Sequence, residues 1–310
     1  MAASARQRRA ASPTSRCATR SSCSVWSRPP GCSFPTNEGG TAFAPRTPPA
    51  QGWWRPLRLD EAVRQTYLEK YAASGLRGHY LHAVYLINLA TPTEQLLRQS
   101  IGSLVHYMQL AELLNADGVV FHPGSHLGAG FDGMLEQMAG AMREILDTVP
   151  RSPAKLIVEN SAGSGGCVGC NFGQLGRIVA AVDSDRVGVC LDTQQHMFAS
   201  GYDVRTRDQV TATLDRFGED VGFDRLALVH ANDSRKPLGS NVDRHANIGE
   251  GEMGIDAFRL LFEDGRLNGV PWLIEVPGEE HRGPDLDNIN RLRACAGLPA
   301  RAVAESVAVR

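Results

Sequence analysis

Six short apolar runs in this chain each end on a side chain able to bind a metal ion, and no other feature limits the fold as strongly. The runs are Gly78–His82, Gly118–His122, Lys155–Glu159, Val187–Asp192, Leu226–His230 and Pro271–Glu275. They are continuous and aliphatic or β-branched rather than alternating, as parallel strands covered on both faces are. Their ends lie 40, 37, 33, 38 and 45 residues apart, which leaves room for a crossover helix in each interval. Residues 93–114 place Leu97, Ile101, Leu104, Met108, Ala111 and Leu114 on one helical face. Thr91-Pro92-Thr93-Glu94 in front of them reads as a capping box with Pro at the first helical position. Met134, Met138, Ala141, Ile145 and Leu146 repeat the helical spacing; Val210, Leu214 and Phe217, then Ile255, Phe258 and Leu261, do so more weakly. Six strand–helix units in about 200 residues favour a closed (β/α)8 TIM barrel over an open sheet. Eight strands would need two more from residues 1–77, where Gly40–Ala44 is a weak candidate.

The ends of the chain differ from the body. Of 310 residues 42% are hydrophobic and 21% charged, enough for an ordinary core. No apolar run is long enough to span a bilayer. The net charge of -2 conceals an asymmetry: residues 1–55 carry eight Arg and one acid, Glu38, for +7, and residues 56–310 carry -9. Residues 1–50 are rich in Arg, Ser, Ala and Pro without apolar periodicity, and are expected to form a disordered head ahead of a domain at 51–295 and a tail at 296–310. A non-folding extension is the simpler reading of that head; a transit peptide is the alternative, and the lack of an apolar centre argues against a secretory signal. Seven cysteines at irregular spacing do not form a disulfide framework, so a reducing, cytoplasmic setting is expected.

The strand ends carry the chemistry. In a (β/α)8 barrel the C-terminal strand ends converge on one face. One His at a strand exit is usually structural, but six ionisable exits in succession would each cost desolvation unless a shared ion removes that cost. His196 follows Asp192 by four residues, and Asp243-Arg244-His245 offers two donors on the same side of an extended segment. The set is then His82, His122, His196, His230 and His245 with Glu159, Asp192, Asp243 and Glu275. Imidazole and carboxylate without thiolate suit Zn²⁺, Mn²⁺ or Fe²⁺ in a catalytic setting, and nine donors suit two or three ions.

These residues resemble the endonuclease IV family of abasic-site DNA repair enzymes (AP endonuclease family 2). The resemblance runs from about Trp53 to Leu292. It is carried by His82-Ala-Val-Tyr-Leu-Ile-Asn-Leu89, Phe121-His-Pro-Gly-Ser-His126, Val158-Glu-Asn-Ser-Ala-Gly163, Cys190-Leu-Asp-Thr193, Gly201-Tyr-Asp203, His230-Ala-Asn-Asp233, Val242-Asp-Arg-His245, Gly249-Glu-Gly251 and Ile274-Glu275. It implies a xylose-isomerase-like TIM barrel holding three zinc ions. His82 and His122 would bind the first ion, with Glu159 bridging to the second. Asp192, His230 and Glu275 would complete the second, and His196, Asp243 and His245 would hold the third. Tyr85 matches the position that pushes into DNA beside the lesion.

The implied reaction is hydrolysis of the phosphodiester 5′ to an abasic site in duplex DNA, leaving a 3′-hydroxyl and a 5′-deoxyribose phosphate. Glu159 would keep the attacking water oriented, and the abasic nucleotide would swing out of the helix. Three ions outweigh four ligand carboxylates, so a barrel of net charge -9 still draws a phosphate to this pocket. Arg235, Lys236 and Arg244 are the candidates for backbone phosphate contacts, against a reading as solvated surface charge. A monomer acting on nucleoid DNA is expected.

The sequence departs from the family in two places. The family has Asp-x-x-His after its sixth strand, and here Asp192-Thr-Gln-Gln-His196 is one residue longer. A bulge would keep His196 at the third ion; without one, Gln195 takes its place. The family's first strand and helix, with a Gly-x-His-x-Ser motif, have no counterpart in residues 1–50, so the first strand is missing or replaced. Cys167-Val-Gly-Cys170 reads as ordinary loop, in a Ser161–Gly169 segment facing the site. His79 and His106 read as packing or surface residues, and His126 as a DNA-loop candidate. Two other functions are open: a sugar isomerase or epimerase on the same barrel, for which a third ion has no use, and a relative that has lost catalysis.

Overall fold

The computed structural model describes residues 41–43, 60–74, 76 and 78–301, without the side chains of 41–43, 195 and 196. Seven parallel strands form one sheet in the order β1 (Thr41–Phe43), β2 (His79–His82), β3 (Gly118–Phe121), β4 (Lys155–Glu159), β5 (Val187–Asp192), β6 (Leu226–His230) and β9 (Trp272–Leu273). A two-residue antiparallel ribbon, β7 (Asp233–Ser234) with β8 (His245–Ala246), stands outside it. The crossovers are α1 (Glu61–Ser74), α2 (Glu94–Leu114), α3 (Phe131–Asp147), α4 (Phe172–Val182), α5 (Arg207–Asp220), α6 (Ile255–Glu263) and α7 (Leu286–Cys295). All six apolar runs are strands or run into one. The weak candidate near Gly40 supplies β1, which pairs with β2 in parallel register, Ala42 opposite Tyr80. The rest of the expected head, with Cys17, Cys23 and Cys32, lies outside the described residues, as do residues 302–310 of the tail. Among the described residues, β1 and β9 are the sheet's two edges and no strand lies between them.

Strand periodicity produces two layers inside the barrel. Tyr80, Val120, Ile157, Cys190, Leu228 and Leu273 form a small separate apolar cluster, one residue from each strand β2 to β6 and β9. Their neighbours Leu81, Val119, Leu156, Val158, Val189, Leu191, Val229 and Trp272 belong to the larger core between sheet and helices. Side chains alternate along a strand, so the next inward position is two residues on: His82, His122, Glu159, Asp192, His230 and Glu275. The apolar layer is the floor on which the ionisable layer rests.

The helices cover the outer face as their patterns require. Leu97, Ile101, Leu104, Met108, Ala111 and Leu114 of α2 are all buried, the Leu, Ile and Met side chains contributing about 1.5–3 kcal/mol each. The capping box is not formed. Thr93, not Thr91, is the N-cap, without a side-chain bond. Buried Thr91 instead accepts Thr93 N–H through Oγ1 at 3.2 Å, a local turn that delays the helix to Glu94. Helix α4, which the sequence reading passed over, carries the buried face Phe172, Leu175, Ile178, Val179 and Val182 and is capped by Asn171. No helix of the described residues is long and apolar enough to cross a membrane.

Candidate metal centre

Glu159 is at the centre of the ionisable layer. Its Oε2 lies 2.8 Å from His82 Nε2 and 3.5 Å from His122 Nε2, and its Oε1 lies 2.6 Å from His230 Nδ1. His230 Nδ1 is also 3.3 Å from Glu275 Oε2. Two sets, His82–Glu159–His230 and Glu159–Asp192–His230–Glu275, each bring one ligand atom per residue within 4.8 Å of the others. Asp243 and His245 form a looser pair beside them: His245 Nε2 is 3.3 Å from Asp243 Oδ1 and 3.8 Å from Asp192 Oδ2. The side chain of His196 lies outside the described residues, within the turn Thr193–Phe198.

The charges explain why these groups tolerate burial. Glu159, Asp192 and His230 are completely buried. Burial alone would raise the Glu159 carboxyl, but His230, His122 and His82 hold it well below the usual carboxylate range. Burial opposes a charge on His82, yet its bond to Glu159 shifts it up; His230 is pushed well up against burial by Cys190, Glu275 and Glu159; His245 is pushed up against burial by Asp192, Asp243 and Glu275. For His122 burial wins and the shift is downward. Buried carboxylates therefore demand compensating positive charge, which divalent cations would supply in place of protons. The donors fit that task. His82 Nδ1–H donates to the Ala83 carbonyl at 2.8 Å, which leaves Nε2 as the ligand atom. His245 Nδ1 likewise faces the Glu275 carbonyl at 3.3 Å, and its buried Nε2 has no hydrogen-bond partner.

Residues outside the predicted set hold the donors in place. Asn232 Nδ2–H donates to Asp192 Oδ2 at 2.6 Å, and its Oδ1 accepts the Glu275 N–H at 2.9 Å, so one amide holds the Asp192 carboxylate and the backbone that carries Glu275. Asn160 spans β4 and β5, donating to the Asp192 carbonyl at 3.0 Å and accepting the Asp192 N–H at 2.6 Å. Asp233 accepts N–H bonds from Ser234, Gly249, Gly251 and Met253 at 2.7–3.1 Å. That grip explains Gly251, where a Cβ would lie 2.5 Å from Asp233 Oδ1. The signals were the Asn after Glu159 and the Asn two after His230, both inside motifs read for their neighbours.

The rim carries the remaining candidates. Tyr85 is 73% exposed, and its ring meets His122 edge-on with centroids 5.5 Å apart. A cavity of roughly 240 Å³ beside it is lined by Asn88, His122, Ser161, Cys167 and Asp243 among others. A larger cavity of roughly 690 Å³ opens at the opposite end, by Tyr80, Lys155 and Pro271; that is where the strands begin, away from every donor. Arg235, Lys236 and Arg244 are exposed on the ribbon, where Arg235 N–H donates to the Arg244 carbonyl at 2.9 Å. Cys167 and Cys170 are free thiols, as are Cys190 and Cys295. His126 is held in its loop, its Nδ1 accepting Gly128 and Gly130 N–H at 3.2 Å each, and His79 is buried.

Comparison with known proteins shows the family and the fold. A family model described as a xylose isomerase-like TIM barrel matches residues 38–295. The probable endonuclease 4 of Halothermothrix orenii is 40% identical over 214 residues, 69% of this chain and 76% of that protein. The chain belongs to the endonuclease IV family. A second such relative, the probable endonuclease 4 of Geobacter sulfurreducens, is 36% identical over 241 residues, 77% of this chain and 81% of that protein. The crystal structure of endonuclease IV from Thermus thermophilus superposes with a TM-score of 0.70 at 32% identity, covering 83% of this chain and 98% of that one. A D-tagatose 3-epimerase-like protein shares the fold alone, at 19% identity and a TM-score of 0.55 over 76% of this chain and 81% of that one. The family model begins ahead of the boundary at residue 51 and takes in β1.

Proposed function

We propose that this endonuclease IV family member hydrolyses the phosphodiester 5′ to abasic sites in duplex DNA, using three zinc ions and leaving a 3′-hydroxyl and a 5′-deoxyribose phosphate. The observation that carries the reading is a buried Glu159 carboxylate shared by His82, His122 and His230, with Asp192 and Glu275 alongside. His82 and His122 would hold the first ion and Asp192, His230 and Glu275 the second, with Glu159 between them. His196, Asp243 and His245 would hold the third. Mn²⁺ or Fe²⁺ fits some of these sites as well.

Divalent ions bound there polarise the phosphodiester and lower the pKa of an attacking water. The protein fixes the geometry. Both Glu159 oxygens face imidazole nitrogens, which fixes the orientation of the carboxylate, and from there it would keep the attacking water oriented. Asn232 and Asn160 keep Asp192 from swinging away. Exposed Tyr85 would fill the gap left in the base stack once the abasic nucleotide turns outward, a motion least costly where no base pairs. Arg235, Lys236 and Arg244 would meet backbone phosphates and set register.

The test is incision of a duplex oligonucleotide carrying one abasic site, before and after chelation. Cleavage 5′ to the lesion, ending in a 3′-hydroxyl and abolished by chelation, is the expected result. Folded, zinc-loaded protein that leaves the duplex intact would overturn the reading and favour a relative without catalysis. The Asp243–His245 pair speaks against a sugar isomerase, whose chemistry has no use for a third ion.

A further inference from the structure

The segment after β5, one residue longer than Asp-x-x-His, is absorbed as a π-helical turn, Thr193–Phe198. A π turn accommodates an inserted residue by widening, and its hydrogen bonds span five residues. Ala199 N–H donates to the Gln194 carbonyl at 2.9 Å across that interval. The carbonyls at the end of the turn face another segment: Phe198 O accepts Gly239 N–H at 3.0 Å, and Ala199 O accepts Asn241 N–H at 2.9 Å. Both donors lie in the connection from β7 to β8 that leads to Asp243 and His245.

Gln194 makes a third link with its side chain. It is fully buried, its Nε2–H donates to the Val242 carbonyl at 3.0 Å, and its main-chain N–H donates to Asp192 Oδ1 at 2.7 Å. One residue thus touches the Asp192 carboxylate and the peptide that joins Val242 to Asp243. Its Oε1 is buried without a hydrogen-bond partner. An unpartnered buried amide oxygen is unfavourable and offsets part of what the Nε2 bonds to the Val242 carbonyl and, at 3.5 Å, to Ser234 Oγ contribute.

We infer that Gln194 is a positioning residue for the third ion: its amide clasps the Val242–Asp243 peptide to the π turn, so that Asp243 and His245 face Asp192. The inference rests on the three-ion reading. It assigns the extra residue of the loop to building the third site rather than to damaging it.

The test is zinc stoichiometry. Wild-type protein and Gln194→Met, which keeps length and volume but has no donor, are loaded with zinc and dialysed against a weak chelator. Zinc per chain is then measured by elemental mass spectrometry, with thermal unfolding in parallel. Wild type should retain three ions. Gln194→Met should retain two while remaining cooperatively folded after strong chelation, with an unfolding midpoint close to that of wild type. Excess zinc should restore the third ion, with affinity reduced about 10–100-fold. Three tightly held ions in Gln194→Met would overturn the inference alone, whereas fewer than three in wild type would overturn the three-ion reading and this inference with it. Should Gln194→Met fail to fold, Gln194→Leu, also without a donor, is read by the same outcomes.

Discussion

Glu159 Oε1 and His230 Nδ1 lie 2.6 Å apart, and neither side chain has any exposed surface. Such proximity in a dry setting is stable only if a proton or a cation is shared there. Glu159→Gln keeps the shape and removes the charge, so His230 loses a group that raises it. The expected outcome is folded protein with less bound zinc and abasic-site incision slowed by about 10³-fold or more. Single-turnover cleavage and elemental analysis measure both. Near-normal incision by Glu159→Gln would remove Glu159 from the mechanism.

Asn232 offers a milder perturbation, because it orients donors without itself being one. Asn232→Ala frees both the Asp192 carboxylate and the Glu275 N–H. Loss of such a supporting bond typically costs 10–100-fold in metal affinity or activity. Competition with a chromophoric zinc chelator should show a loss of about that size, and added zinc should recover most of the incision rate. Unchanged zinc affinity would mean that Asp192 is held by Asn160 and the Gln194 N–H alone.

The donors and their supports were not equally visible in the sequence. The donors were legible because strand periodicity forces each to follow a barrel-floor residue by two, as His82 follows Tyr80 and Glu159 follows Ile157. Asn160, Asn232 and Gln194 follow no such period. The partners their side-chain amides donate to lie 32 to 48 residues away and meet them only when the barrel folds. Strand β1 is three residues long, too short for a periodic signal. Thr91 misled because its hydroxyl had a nearer N–H to accept than a capping box would provide. The inserted residue announced that the loop must give way, but a π turn and a displaced His196 share one sequence.

Arg235 and Lys236 are exposed on the ribbon beside the site. If both meet phosphates, Arg235→Ala with Lys236→Ala weakens DNA binding uniformly across sequences. It should also lower the slope of log Kd against log salt by about two. Incision at saturating DNA should change little, since neither side chain reaches the donors. A titration from low to moderate salt decides it; an unaltered slope would return both residues to solvated surface charge.

Chelation should lower thermal stability. Ligands that bind only the native state stabilise it by about 2.7 kcal/mol at a hundredfold excess over Kd. For a domain of this size 1 kcal/mol corresponds to about 2–4 °C. The Tm of zinc-loaded protein should therefore exceed that of chelated protein by at least about 5 °C, and Glu159→Gln should narrow the gap. Identical melting curves would show that the carboxylate cluster holds no ion tightly.

His79 yields a prediction independent of metal and DNA. It is 1% exposed, its ring stands edge-on to Tyr67 and Tyr71 at 5.5 and 4.7 Å, and neither ring nitrogen has a hydrogen-bond partner. Burial lowers it from the ordinary 6.5 to about 4, with Asp117 opposing only in part. The unfolded chain therefore takes up a proton near pH 6.5 that the folded chain refuses until about pH 4. Stability from this residue is complete above pH 6.5 and declines as pH falls through that window. A shift of that size corresponds to about 3 kcal/mol. His79→Phe keeps the aromatic packing and removes the titration. Urea unfolding at pH 7.5 and pH 5 should show the wild type losing more stability between the two than His79→Phe, by about 2 kcal/mol. Equal losses would mean that the His79 ring reaches solvent or a partner in solution.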